Sequence, residues 1–129
     1  MLAPALLAAY VRTRYVIPGG AVRIGRRSAA ADRILAMARR HEAVLITAWN
    51  PRSRRMPHGW NTRRQRVLSS SVRRYDMLPA QGGGRGWSED HLLVLMPAGK
   101  GPVTGRRFGQ NAIVVLRRGH PARLVFCFG

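Results

Sequence analysis

Acidic residues are scarce in this chain. Its 129 residues include 5 Asp and Glu against 23 Lys and Arg, and the formal net charge at pH 7 is +18. Of the 23 lysines and arginines, all but Lys100 are arginines. A surface of this sign attracts polyanions and gains free energy when counterions leave phosphates. A GC-rich genome also favours arginine over lysine, but it explains the shortage of acidic residues less well. The charge alone therefore leaves two explanations open, which are polyanion binding and genome composition.

Cysteine is nearly absent too. Cys127 is the single one, which excludes an internal disulfide and a multi-cysteine zinc site. It lies in the apolar run "RLVFCFG", a setting typical of a buried and inert thiol. The histidines are scattered without the spacing of metal ligands. We therefore expect no metal and no cofactor.

Long hydrophobic runs are missing as well. No stretch approaches the roughly 20 apolar residues that a membrane span requires. The stretch "MLAPALLAAYVR" has the length of a signal-peptide core, but it has no basic residue in front, and Arg12 and Arg14 follow where a cleavage site would lie. We expect a cytoplasmic protein of bacterial type with no membrane partner, and its oligomeric state stays open.

The residues that are present predict a single folded domain over 1–129. The apolar fraction is 46%, which is typical of a globule rather than a disordered basic tail. Strands and helices mix along the chain, so we predict an α/β (α+β) fold with a mixed sheet of about five to seven strands, packed by two main helices. The chain should end in a β-hairpin around Gly119, His120 and Pro121.

Helices are predicted at 3–11, at 29–40 with Ser28 as the N-cap, and at 61–75. The run "AVLITAW" is apolar on both faces, which indicates a central strand covered on each side. We interpret "QGGGRGW" as a flexible loop. We expect one helical turn at most in "GKGPVTGRRFGQN".

The candidate ligand-binding residues begin with Asn50, which ends the central strand, where open α/β sheets place their ligands. The alternative is a turn residue that bonds its own backbone. Asn61 opens the third helix, and a helix N-terminus can bind an anion that Arg64, one turn later, would hold. The alternative for Asn61 is an N-cap, with Thr62 and Gln65 as a capping box. The other candidate ligand-binding residues are Ser53, Gln110 and Asn111.

Glu89 is the candidate catalytic residue. It stands in "GWSEDHLL", where a buried strand begins, and acids are rare in this chain. A carboxylate there can act as a general base or hold a ligand. The alternative is an ion pair with an arginine.

Further arginines surround the third helix and the loop before it. They form either a solvated face or a surface for polyanions such as nucleic acid. The candidate polyanion-binding residues are Arg52, Arg54, Arg55, Arg63, Arg66, Arg73 and Arg74.

The order of the motifs "AYVRTRY", "ITAWNPRS", "NTRRQRVL", "GWSEDHLLV" and "FGQNAIVV" resembles the DUF3293 family of small bacterial proteins, whose function is unknown. The resemblance implies a fold class and a domain boundary but no activity. This chain departs from the family in the loop 52–60, which is basic here, whereas family members tend to be acidic just before the helix asparagine. The matching positions are Tyr10, Thr13, Tyr15, Thr47, Asn50, Pro51, Ser53, Asn61, Arg64, Leu68, Trp87, Glu89, Phe108, Gln110 and Asn111.

Three hypotheses remain open on the sequence. The first is a pocket at the strand ends that binds a small anionic metabolite or nucleotide, with or without catalysis, and it requires Asn50, Asn61, Glu89 and Gln110 to converge. The second is nucleic-acid binding through the arginine-rich segment 52–74, with Trp49 or Trp60 stacked on a base. The third is a non-catalytic interaction protein.

Overall fold

The computed structural model describes residues 3–128; the first two residues and the last one of the expected domain lie outside that range. The described α-helices are α1 Pro4–Arg12, α2 Ala29–Ala38, α3 His58–Ser71 and α4 Gly101–Arg107. Short 3-10 turns lie at Pro51–Ser53 and Ala98–Lys100. The strands are β1 Arg14–Ile17, β2 Gly20–Val22, β3 Glu42–Ile46, β4 Met77–Gly84, β5 Trp87–Val94, β6 Ala112–Arg117 and β7 Arg123–Phe126. None of the helices within 3–128 has the length and apolar character needed to cross a bilayer.

The strands form one seven-stranded sheet in the order β2-β1-β4-β5-β3-β6-β7. The fold class, the strand number and the C-terminal hairpin β6–β7 are confirmed. We expected a mixed sheet, but all neighbouring strands pair antiparallel, because hairpins or reversing crossovers connect them. The only parallel contact described is an isolated bridge between Ile24 and Ala122, which brings the β2 and β7 edges together. The sheet is therefore curled.

The two faces of the sheet carry separate cores. On one face, Tyr15, Leu45 and Leu93 pack with Leu35 of α2. On the other, alternate residues of β3 and β5 pack with Leu68 of α3 and with Phe108 at the end of α4. The prediction that β3 is covered on both sides is confirmed, because all its residues after Glu42 are buried.

Helix α2 follows the sequence prediction closely. The Ser28 hydroxyl accepts a hydrogen bond from the Ala31 N–H at 3.1 Å and donates to the Ala21 carbonyl at 2.8 Å. The first bond caps the helix. The second ties its start to β2, so one side chain fixes both the beginning of the helix and its position on the sheet.

Helix α3 begins earlier than predicted. Pro57 is its N-cap and no side chain caps it, so the helix starts at His58 and Asn61 lies inside it. The predicted Asn61 cap and the capping box are therefore wrong. Gln65 instead accepts a hydrogen bond from the Ala48 N–H at 2.9 Å, because tertiary contact with the end of β3 draws this face of the helix inward.

The stretch "QGGGRGW" is a β-hairpin rather than a flexible loop. Strands β4 and β5 pair from Met77–Val94 to Gly84–Trp87, which leaves Arg85 and Gly86 as the turn. A Cβ at Gly82 would lie 2.8 Å from the His91 ring, and one at Gly84 would lie 2.8 Å from the Trp87 indole nitrogen. Aromatic rings thus occupy the space that side chains on this strand would fill.

Helix α4 also differs from the prediction, since it runs for seven residues where one turn was expected. The glycines of α4 allow the helix to pack closely against the sheet. A Cβ at Gly105 would lie 2.5 Å from the Cys127 sulfur and 3.0 Å from Ile113, both of them buried. The helix therefore packs against the sheet at a distance that only glycine permits.

We predict that Gly105→Ala destabilises the protein by about 1–3 kcal/mol, because an added methyl overpacks a buried contact. Gly99→Ala is the matched control, since nothing lies within 4 Å of its Cβ position. Urea unfolding of both variants tests this. Equal stability of the two variants would contradict the close packing of α4.

Candidate functional site

A cavity of about 640 Å³ opens on the face of the sheet that carries Tyr15 and Leu45. It is bounded by Tyr10 of α1, by Tyr15 of β1, by the segment that follows β3, and by Glu89 and His91 of β5. Four of the predicted residues, Asn50, Asn61, Glu89 and Gln110, line this one cavity together with Ser53. The convergence on which the pocket hypothesis depends is therefore present.

The segment after β3 has an unusual backbone. Asn50, Arg52 and Ser53 all adopt positive φ, at 46°, 55° and 59°. Such angles are uncommon outside glycine, and they persist where surrounding contacts impose them. Here the Arg52 N–H donates to the Gly109 carbonyl at 2.7 Å. Gly109 leaves the room that this contact needs, since a Cβ on it would lie 2.7 Å from the Pro51 Cβ.

Asn50 and Asn61 hold this segment by paired hydrogen bonds. The Asn50 N–H donates to Asn61 Oδ1 at 2.9 Å, and Asn61 Nδ2 donates to Asn50 Oδ1 at 2.9 Å. Asn50 Oδ1 also accepts from the Met56 N–H at 2.8 Å. Asn61 is only 2% exposed, so its amide is committed to Asn50 and not to an anion at a helix tip.

Glu89 accepts a hydrogen bond from the side chain of Asn50. Asn50 Nδ2 donates to Glu89 Oε1 at 2.8 Å. Burial raises the pKa of the Glu89 carboxyl above its ordinary value, and the hydrogen bond from Asn50 opposes that shift in part. The ion pair considered for Glu89 is not seen, because the only salt bridge described within residues 3–128 joins Arg27 and Asp32.

Trp49 contributes a buried donor with no partner. Its indole Nε1 is enclosed and makes no hydrogen bond within the described structure, although Trp49 lines the cavity. Its ring meets His58 edge-on at 5.5 Å between centroids. An unpaired buried N–H is costly, and this nitrogen is enclosed by protein atoms rather than open to the cavity.

Ser53, Gln110 and Asn111 have distinct surroundings. The Ser53 hydroxyl accepts from Asn111 Nδ2 at 3.1 Å. Gln110 Nε2 donates to the Trp49 carbonyl at 3.1 Å. Asn111 does not line the cavity, so its amide supports Ser53 from outside.

Tyr10, Tyr15 and His91 line the cavity and were not among the predicted site residues. Burial raises the pKa of Tyr10 to about 12 and raises that of Tyr15 further, so both phenols stay protonated. Burial lowers the pKa of His91 to about 4. The strand alternation could have found His91, because it lies two residues after Glu89 and faces the same side.

The arginines are distributed unevenly. Arg55 lines the cavity. Arg64 does not; its guanidinium lies 4.8 Å from the centre of the Phe108 ring, so the predicted clamp at the start of α3 is not formed. Arg74 lies over Tyr75 at 5.4 Å. The remaining predicted arginines are exposed, and they are Arg52, Arg54, Arg63, Arg66 and Arg73.

The fold and the cavity define a small α/β protein with a polar pocket at the ends of its central strands. A family model described as a protein of unknown function, DUF3293, matches residues 46–113, more than half of the 129 residues. The chain belongs to this family, and the resemblance of its motifs is confirmed. No curated protein and no solved structure matches it. Asn50, Asn61, Glu89 and Gln110 all lie in the matched segment.

The Asn50–Glu89 hydrogen bond can be tested by reversing its polarity. We predict that Asn50→Asp lowers stability at pH 7 by about 1–3 kcal/mol, because two partly buried carboxylates then face each other without a donor. Adding Glu89→Gln should recover most of that loss, since a glutamine amide can donate to the new carboxylate. Urea unfolding of the two single variants and the double variant gives the coupling energy. Strictly additive effects would contradict the contact.

His91 should make stability depend on pH. Its pKa is about 4 in the folded state against 6.5 ordinarily, so the unfolded chain binds the extra proton. Stability from this group is complete above pH 6.5 and falls towards pH 4 by on the order of 3 kcal/mol. His91→Asn should flatten the urea-unfolding profile across that window, whereas His120→Asn, at an exposed site, should leave it unchanged. Equal profiles for the two variants would contradict the assignment.

Proposed function

We propose that this DUF3293 protein binds a small anionic metabolite or nucleotide in the cavity at the ends of its central strands. The observation that carries the proposal is the convergence of Asn50, Glu89 and Gln110 around one space of about 640 Å³. Ligand sites typically combine a cavity of this size with a few convergent polar groups and an ionisable group of shifted pKa.

The groups have complementary roles in this proposal. Glu89 Oε1 is held by Asn50, so its second oxygen is free to accept from a ligand N–H or O–H. Arg55 would hold the anionic group, in place of the start of α3. Asn61 would act through Asn50, as the residue that positions it.

Glu89 is also the candidate general acid–base group, should the ligand be a substrate. A carboxyl whose pKa is raised by burial can take up and release a proton nearer to neutral pH than an exposed one. Asn50 would orient the carboxyl for that transfer. We further propose a cytoplasmic location, with which the single buried thiol of Cys127 agrees.

A second candidate function is nucleic-acid binding through the segment 52–74. The exposure of Arg63 and Arg66 on α3 supports it. Stacking of a base on Trp49 is less favourable, because the indole nitrogen is enclosed and the ring lies edge-on against His58.

Ligand titration separates the two functions. Trp49 and Trp87 line the cavity, so binding of AMP, UMP or citrate should change the tryptophan fluorescence. We predict that Glu89→Gln weakens binding of the responding ligand by about tenfold or more, as expected for loss of a charged hydrogen-bond acceptor. Asp90→Asn is the matched control, because Asp90 is the next residue and faces the other side of β5.

Salt provides the second measurement. Binding in the cavity should change little between 50 and 200 mM NaCl, whereas binding along 6–10 phosphates would fall by about 10³–10⁵ over that range. Equal losses in Glu89→Gln and Asp90→Asn, or a steep fall with salt, would contradict the cavity proposal. Loss of that binding in Arg63→Ala with Arg66→Ala would then favour the arginine-rich segment.

A further inference from the structure

The two ends of the cavity differ in their chemistry. Exposed residues, Arg55 and Trp87 among them, form its mouth. Buried residues such as Tyr15, Leu45 and Val114 form its inner end. Among the described residues, Arg55 is the only lysine or arginine that lines the cavity. The inner end is therefore the less polar end, and the arginine charge lies at the mouth.

His91 is a neutral imidazole whose tautomer is fixed by the backbone. Its Nδ1 lies 3.1 Å from the Glu89 backbone carbonyl. A carbonyl oxygen can only accept a hydrogen bond, so Nδ1 carries the proton and Nε2 has a free lone pair. Burial lowers the pKa of His91 to about 4, which keeps the ring neutral at pH 7. The ring is held edge-on against Tyr15, with 5.4 Å between the centroids.

The Nε2 atom of His91 is open to the cavity. It makes no hydrogen bond to a residue within 3–128. The enclosed side-chain atoms that lack a partner in that range are Trp49 Nε1 and Gln65 Nε2. Because His91 Nε2 is not one of them and His91 lines the cavity, its lone pair has access to that space. Neither the proposed function nor the sequence assigns this atom a role.

Glu89 adds a second acceptor on the same face of β5. It precedes His91 by two residues, so both side chains point to one side of the strand. Asn50 holds only one of its carboxyl oxygens. Two acceptors attract N–H and O–H groups and repel the oxygens of an anion. Because a buried charge without a partner is also costly, a phosphate is disfavoured at the inner end and favoured at the mouth beside Arg55.

We infer that the cavity binds a phosphorylated ring compound with the uncharged ring inward, where it donates hydrogen bonds to His91 Nε2 and Glu89, and with the phosphate at the mouth beside Arg55. This orientation rests on the proposed function and narrows its ligand to a nucleotide or a sugar phosphate, as opposed to a compact polyanion such as citrate. The donors can belong to a base or to a sugar, because the recognised N–H and O–H chemistry is the same.

Histidine NMR with nitrogen-15 labelling tests the acceptor directly. At pH 7 we expect a protonated Nδ1 and an unprotonated Nε2 in His91, and we expect the Nε2 resonance to move when GMP is added. The assignment uses the unmodified protein, so it does not depend on whether a variant folds. A proton on Nε2 in place of Nδ1 would overturn the inference.

Calorimetric titration of GMP, guanosine and ribose 5-phosphate tests the orientation. His91→Phe keeps a ring against Tyr15 and removes the acceptor, so it should weaken GMP and guanosine alike by about tenfold, as expected when a ligand donor is left unpaired. Arg55→Gln should weaken GMP and leave guanosine unchanged. The matched controls are His120→Phe and Arg54→Gln, whose positions do not line the cavity. Circular dichroism checks that all four variants fold.

The outcomes separate the ligand sources and the two proposals. Ribose 5-phosphate that binds as tightly as GMP, and that His91→Phe weakens, assigns the donors to the sugar, whereas much weaker binding assigns them to the base. Equal GMP affinity in His91→Phe and His120→Phe would overturn the inference, as would loss of guanosine binding in Arg55→Gln. Citrate binding that is lost in Glu89→Gln but not in His91→Phe would overturn the orientation and leave the proposed function standing. No binding of GMP, ribose 5-phosphate or citrate would overturn both.

Discussion

The site depends on the three-residue hydrogen-bond chain Asn61–Asn50–Glu89. Asn61 is buried within α3 and fixes Asn50 through two bonds of 2.9 Å. The side-chain amide of Asn50 then donates to Glu89. The backbone N–H, the side-chain oxygen and the Nδ2 of Asn50 all make hydrogen bonds, so these bonds fix the orientation of its side chain. The hydrogen-bond chain joins a helix, a left-handed loop segment and a strand that are distant in sequence.

The hydrogen bonds from Asn61 through Asn50 to Glu89 explain the left-handed backbone at Asn50. Positive φ at Asn50 turns its backbone N–H toward Asn61 and its side chain toward both Met56 and Glu89. Asparagine tolerates this conformation better than most residues because its short side chain bonds locally. The two alternatives weighed for Asn50, a turn residue and a pocket residue, are therefore one role: the turn conformation is what places the amide in the cavity.

Some of this could be predicted from the sequence. The end of an apolar strand followed by proline located Asn50, and a lone acid at the start of another apolar strand located Glu89. Both are local signals of burial and strand direction. The capping of α2 by Ser28 is local too, since donor and acceptor lie three residues apart.

Other features could not be predicted, because they depend on contacts between distant segments. The local pattern favoured a cap at Asn61, but the helix extends back to His58 and the contacts with β3 decide the role of its amides. The glycines of β4 read locally as a loop, whereas the rings of Tyr15, His91 and Trp87 fill the space above them. Arg64 looked poised for an anion, and the Phe108 ring, 44 positions later in the chain, holds it instead.

The net charge of +18 and the chemistry of the cavity are nearly independent. A positive field favours the ionised carboxylate and would lower its pKa, yet the pKa of Glu89 is raised. Desolvation prevails because it acts at the carboxyl itself, whereas most arginines are exposed and salt screens their charges beyond about 8 Å. Burial therefore outweighs the surface arginines in setting the direction of this pKa shift. The surface charge acts instead on the solvent-exposed parts of the protein. There the arrangement of the guanidinium groups, rather than their number, distinguishes one anion from another.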